Sequence, residues 1–172
     1  PDVEQVISQL QAIGKTVFVM SAGLKPAVAI FAKHLNVPEE NVFAVDISFD
    51  TKGRYKSFDK SSPLTGPGGK GYLVQRLKEQ HSLLMHVGDG INDVDAKNFV
   101  TRFVGYGGVF YRESILSHSD FYITCRSMAP VLPLALTGEE AARLKGEALA
   151  LYQKGMSLIA GCEVNLVERE AS

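Results

Sequence analysis

Asp89, Asn92 and Asp93 bring two carboxylates and an amide together in the string Val87-Gly88-Asp89-Gly90-Ile91-Asn92-Asp93. The string follows the apolar run Ser82-Leu83-Leu84-Met85-His86. Hard oxygen donors suit a divalent cation. Gly88 and Gly90 let backbone approach a ligand closely. A short apolar run bounded by Gly and Asp reads as a buried parallel strand, and ligands of open α/β sheets bind beyond the carboxyl ends of strands. The plain alternative is a helix cap, because Asp and Gly are ordinary turn residues.

Two other places have the right residue types for phosphate chemistry. Ser21-Ala22-Gly23 leaves the apolar run Thr16-Val17-Phe18-Val19-Met20 ahead of a helix opened by Pro26. A hydroxyl and backbone N–H groups there can hold a phosphate, or Ser21 can simply cap the helix. Lys70 follows Gly68-Gly69 at the start of another helix. The helix dipole disfavours a cation at that end, so Lys70 either faces solvent or meets an anion.

The elements that position these residues alternate. Val3, Val6, Ile7, Leu10 and Ile13 recur at helical spacing, with Gly14 as a stop. Val42 to Phe49, a turn at Asp50-Thr51-Lys52-Gly53 and Arg54 to Phe58 read as a hairpin. Helix is expected from Asp93 to Phe99 and from Tyr111 to Leu116, and strand at Phe103-Val104 and at Phe121 to Thr124. The alternation implies an α/β fold with a parallel sheet. Thr137 and Glu140 fit a capping box, after which Ala141, Leu144, Ala148, Leu151, Tyr152, Met156 and Ile159 keep helical spacing. The reading taken is a helix packed on the domain, with a homodimer surface as the alternative.

Composition excludes several classes. The 172 residues are 45% hydrophobic and 22% charged, with a formal net charge of −1, as in an ordinary soluble domain. No basic stripe points to nucleic acid, and no apolar run has the ~18 residues of a membrane span. Cys125 and Cys162 lack metal-ligand spacing and read as thiols of a reducing compartment, the cytoplasm by default. His86 reads as a sheet-buried imidazole; His34, His81 and His118 read as surface residues.

Taken in order, a strand leading to Ser21, then Gly-Gly-Lys70, then a strand leading to Gly-Asp89-Gly-x-Asn92-Asp93 resembles motifs two, three and four of the haloacid dehalogenase superfamily, in particular the phosphoserine phosphatases. The likeness runs from about Pro1 to Thr124 and includes the hairpin and the Gly-Tyr-Gly-Gly run. It implies a Rossmann-like core over 1–136 with a β-hairpin insert, followed by a C-terminal helical extension over 137–172. It implies a Mg²⁺-dependent phosphomonoester hydrolase that works through an aspartyl-phosphate on a small phosphorylated metabolite, with L-phosphoserine as the family-level expectation. By that resemblance Ser21, Ala22, Gly23 and Asn92 bind the phosphate. Lys70 neutralises the phosphate and the intermediate, Asp89 binds Mg²⁺, and Asp93 holds Lys70 or the metal waters. The family usually has Gly where this chain has Ala22, which keeps the N–H and adds a methyl.

Motif one of the superfamily, Asp-x-Asp-x-Thr/Val, carries the nucleophile and does not occur in these 172 residues. The string Asp46-Ile47-Ser48-Phe49-Asp50-Thr51 has the wrong spacing. The family's helical cap is missing too. The 172 residues are therefore expected to be inactive alone. The preferred reading is part of a longer enzyme, ahead of a domain completed by another chain or a non-catalytic phosphate- or metal-binding domain. In the family the motif-one strand lies between the strands leading to Ser21 and Asp89. A filled slot, or two strands closed up on each other, is expected there.

Overall fold

The computed structural model describes residues 1–167. The last residues of the expected extension, 168–172, lie outside them. Helix α1 (Val3–Ala12) leads to strand β1 (Val19–Leu24), helix α2 (Lys25–His34) and strand β2 (Val42–Val45). A hairpin of β3 (Ile47–Phe49) and β4 (Tyr55–Phe58) follows. Asp50 shapes its turn by accepting the N–H groups of Lys52 and Arg54 at 2.8 and 2.9 Å. Helix α3 (Gly69–Lys78), strand β5 (Met85–Gly88), the short α4 (Ile91–Val94), β6 (Arg102–Tyr106), α5 (Glu113–Leu116) and β7 (Phe121–Ile123) complete the alternating part. The tail folds as α6 (Val131–Ala135), α7 (Gly138–Ala142), α8 (Gly146–Ala160) and β8 (Val164–Leu166).

β5, β6 and β7 pair in parallel, with Met85 opposite Arg102 and Val104 opposite Phe121. β8 adds to β7 in the antiparallel sense, with Ile123 opposite Val164. The expected helical extension therefore also supplies an edge strand. Its apolar stripe is split as well. Arg143 and Leu144 bond back to Glu140 and Ala141, three residues earlier, and this tighter turn buries Leu144 and ends α7. The Thr137–Glu140 capping box forms as expected, with both reciprocal bonds made. Leu151, Tyr152 and Ile159 of α8 pack against the core of their own chain. α8 lies so close to the 129–133 segment that a Cβ on Gly155 would stand 2.5 Å from the Ala129 carbonyl oxygen.

Among the described residues β1 pairs only with β2, in parallel, from Val19 opposite Val42. The strand begins later than the apolar run 16–20 suggests, because only from Val19 onward does β2 offer a partner. Its ladder shifts register between Met20 and Leu24, and Ser21-Ala22-Gly23 lie within the strand rather than in an exit loop. The segment expected as a helix over 93–99 is split into α4 and a 3₁₀ turn at Lys97–Phe99.

None of the described residues fills the slot between β1 and β5, and the two strands do not close on each other. Among the described residues the two strands belong to separate sheets, and a cleft of about 610 Å³ lies between them. Its walls include Val17, Phe18 and Met20 on one side and Met85 and Val87 on the other. The expectation failed on its assumption of full burial. Val17, Val19, Leu84 and Val87 are only half-buried, so the bare strand edges meet water and not hydrocarbon. The penalty of ~1–3 kcal/mol for each unsatisfied buried group then does not apply. α1 packs on both halves and joins them. Its Val6 and Leu10 enter the core that includes Val104 and Ile123, while Val3 and Ile7, one step round the helix, pack against Ala32, Leu35 and Val42.

Candidate functional site

The chemistry-bearing residues gather where β5 runs into α4. β5 ends at Gly88, and Gly90 caps α4. Asp93 folds back over this turn. Its Oδ2 accepts the Gly90 N–H at 3.0 Å, and its own N–H donates to the Gly90 carbonyl at 2.9 Å. The carboxyl group is thereby pressed against Gly88, where a Cβ would lie 2.3 Å from Asp93 Cγ. Only glycine fits there, which gives Gly88 a packing role as well as a turning one.

Lys70 occupies the first turn of α3 and points inward. Its Nζ donates to Asp93 Oδ1 at 2.5 Å, with the Lys70 side chain 15% exposed and that of Asp93 6% exposed. The anion that a lysine at a helix N-terminus needs is thus a buried carboxylate. His86 Nε2 lies 2.9 Å from the same Oδ1. A carboxylate only accepts hydrogen bonds, so Nε2 carries the proton. Burial pushes the Asp93 carboxyl up, but the hydrogen bonds from His86 and Lys70 outweigh burial and hold it at about 2. Asp93 is therefore an anion at neutral pH, with both oxygens engaged.

Asp89 is different. Its side chain is 61% exposed, and its Oδ2 lies 3.6 Å from Nη1 of Arg112. The same Nη1 donates to the Asp89 backbone carbonyl. Arg112 is itself anchored, because its backbone N–H donates to the hydroxyl of fully buried Tyr122 at 2.8 Å. Asn92 is exposed on α4 next to Asp93.

Ser21 stands apart from this group. Its hydroxyl accepts the Gly23 N–H at 3.0 Å, and α2 is capped at Leu24, so Ser21 is not the helix cap. Met20 and Val87, which precede Ser21 and Gly88-Asp89, line the same cleft from opposite sides. The structure joins Lys70 and Asp93 directly and sets Asp89 and Asn92 beside them. It leaves Ser21, Ala22 and Gly23 on the far bank.

The donor set allows a hard cation only in part. Mg²⁺ usually takes one or two carboxylates, with waters and phosphate oxygens filling the rest. Asp89 is one exposed carboxylate of that kind, while Asp93 is occupied by Lys70, His86 and Gly90. Among the described residues no group of three or more His, Cys, Asp or Glu side chains is placed to hold a metal. Cys125 and Cys162 are free thiols.

Two site residues escaped the sequence reading. His86 is two residues before Gly88 on one strand, so the two share a face. Anything packed on Gly88 is within its reach, and that parity was the available signal. Arg112 gave none, since it arrives from the connection that follows the neighbouring strand β6.

The family profile of the haloacid dehalogenase-like hydrolases matches residues 1–97. The phosphoserine phosphatases of Bos taurus and Homo sapiens are 35% and 34% identical to the chain over 126 residues, 72% of this chain and 56% of each relative. The chain thus spans just over half the length of the curated relatives it matches. A phosphoserine phosphohydrolase-like protein from Francisella tularensis superposes with a TM-score of 0.64 at 25% identity, over 72% of this chain and 58% of that one. A substrate-bound phosphoserine phosphatase complex superposes with a TM-score of 0.65 at 20% identity, over 76% of this chain and 61% of that one, which speaks to the fold alone. The α/β architecture, the Lys70–Asp93 pair at the end of β5 and these matches agree, and the chain belongs to the haloacid dehalogenase-like hydrolases.

Proposed function

We propose that these residues form the phosphate- and metal-binding part of a phosphomonoester phosphatase that acts on a small phosphorylated metabolite. L-phosphoserine is the substrate suggested by the relatives' names. The observation that carries the reading is Lys70, turned inward onto Asp93 at the carboxyl end of β5, with the carboxylate of Asp89 open beside it. Lys70 has two further N–H groups for phosphate oxygens. Asn92, the Ser21 hydroxyl and the Ala22 N–H complete the phosphate site across the cleft, with the Gly23 N–H orienting that hydroxyl. Asp93 orients Lys70.

In the reaction an aspartate oxygen bonds to phosphorus, the ester P–O bond breaks, and the leaving alkoxide takes a proton from a second acid. Water then attacks the acyl phosphate, releasing phosphate and restoring the carboxylate. Lys70 balances negative charge on the transferring oxygens in both steps. Mg²⁺, held by Asp89 among other oxygens, would supply Lewis-acid charge at the phosphate when bound. The nucleophile is not among the residues of this site. We place it on a strand that seats in the cleft between β1 and β5, whose bare edges offer it two ladders. A cytoplasmic setting fits this metabolic role.

The test is turnover of p-nitrophenyl phosphate. The 172-residue protein alone should be inactive, and a synthetic strand bearing Asp-x-Asp-x-Thr should confer turnover that Lys70→Ala removes. Turnover by the unsupplemented protein that Ser21→Ala abolishes would overturn the assignment of roles. The second reading, a non-catalytic phosphate- or metal-binding domain, draws on the lack of Asp-x-Asp-x-Thr/Val in the sequence. It predicts phosphate binding with no turnover under either condition.

A further inference from the structure

We propose that His86 is a positioning residue that sets how strongly Lys70 is available to an anion. The proposal rests on the reading of Lys70 as a phosphate ligand. Nε2 of His86 and Nζ of Lys70 share one oxygen, Asp93 Oδ1, at 2.9 and 2.5 Å, and the other oxygen is held by the Gly90 N–H at 3.0 Å. With both oxygens fixed, the carboxylate cannot rotate to meet the ammonium more fully. The imidazole N–H also draws on the charge of the shared oxygen, so Lys70 is held without being fully neutralised. Charge-assisted hydrogen bonds are about twice as strong as neutral ones, so the sharing is a sizeable effect.

The ring itself is fixed. It stacks on fully buried Phe103 with centroids 5.9 Å apart and planes 11° from parallel. Strand parity puts His86 on the Gly88 face, where Asp93 packs. His86 also borders the cleft. A histidine that only filled space against Phe103 would be replaced equally well by an apolar side chain. One that shares Asp93 needs a donor at the Nε2 position, which the amide nitrogen of glutamine supplies at the same distance from Cβ.

Three variants separate these roles: His86→Leu, His86→Gln and Lys70→Ala. Inorganic phosphate binding is read by calorimetry, and the reactivity of the Lys70 amine by its rate of trace acetylation with acetic anhydride at one fixed pH. In His86→Leu, Asp93 is left to Lys70, so the amine should be acetylated more slowly and phosphate affinity should fall roughly tenfold, the scale of one hydrogen bond to a charged group. His86→Gln should return both close to wild type. If His86→Leu matches wild type in both readouts, or His86→Gln behaves like His86→Leu, the proposal is overturned. If Lys70→Ala binds phosphate as wild type does, the phosphate-site reading fails instead, and the acetylation rate of Lys70 in the His86 variants still decides whether His86 acts through Asp93. Should His86→Leu not fold, His86→Asn, whose amide is too short to reach Asp93, takes its place.

Discussion

The guanidinium of Arg112 stands 3.6 Å from the carboxylate of Asp89, the one exposed acid of the candidate centre. A cation in that position opposes a second cation on the same oxygens. Replacing Arg112 with Gln should therefore tighten Mg²⁺ binding a few-fold. The pair is largely exposed, so the effect stays small and shrinks with salt. Calorimetric titrations of both proteins at low and high ionic strength check this. Weaker Mg²⁺ binding by the variant would mean that Arg112 supports the metal site.

Asp89→Asn should weaken Mg²⁺ binding markedly, because an amide oxygen lacks the charge that a hard dication seeks. The readout is again calorimetry, now on the single substitution. Equal affinity in both proteins would remove Asp89 from the ligand set.

Lys70 and Asp93 are buried together, so removing either one leaves a charge behind. Asp93→Asn strands the Lys70 ammonium and should cost ~3–5 kcal/mol in urea unfolding, the usual penalty for breaking a buried pair. Lys70→Met should cost less, since His86 and Gly90 still donate to Asp93. The reverse order would show that the two remaining donors do not support the carboxylate.

Acid should unfold the protein partly through Asp93. Its carboxyl is lowered from 3.8 to about 2, first against the upward push of burial, by the hydrogen bonds from His86 and Lys70. A depressed acid contributes stability that is fully present above its unfolded value. That contribution is lost as pH falls from near 4 through about 2, and it amounts to about 2 kcal/mol. Urea melts between pH 5 and 2 should show a drop that is smaller in Asp93→Asn. A parallel fall in both proteins would assign the acid sensitivity elsewhere.

The legible parts of this fold were those fixed by local chemistry. Helical spacing from Val3 to Ile13, the turn at Asp50 and the Thr137–Glu140 box depend on near neighbours, and all three form. The Lys70–Asp93 pairing was also within reach, since a lysine beside a helix N-terminus calls for an anion. Long-range partners decided the rest. β1 starts at Val19 because of where β2 lies, and Val164–Leu166 becomes a strand because β7 has a free edge. The open cleft ran against an argument from burial, which held only if water were excluded. Arg112 reached Asp89 through an anchor on Tyr122 that no spacing could reveal.

Gly155 has a consequence for variation in this chain. Its α-carbon faces the Ala129 carbonyl and the Pro133 ring so closely that a methyl would fall 2.5 and 2.9 Å from them. Any side chain at this position must therefore displace α8 from the 129–133 segment. In a library of random substitutions, codon 155 should tolerate almost nothing, while Met156 beside it, 44% exposed, should accept polar replacements freely. Far from the chemistry, one hydrogen atom sets how near α8 can come to the body that carries Lys70 and Asp93.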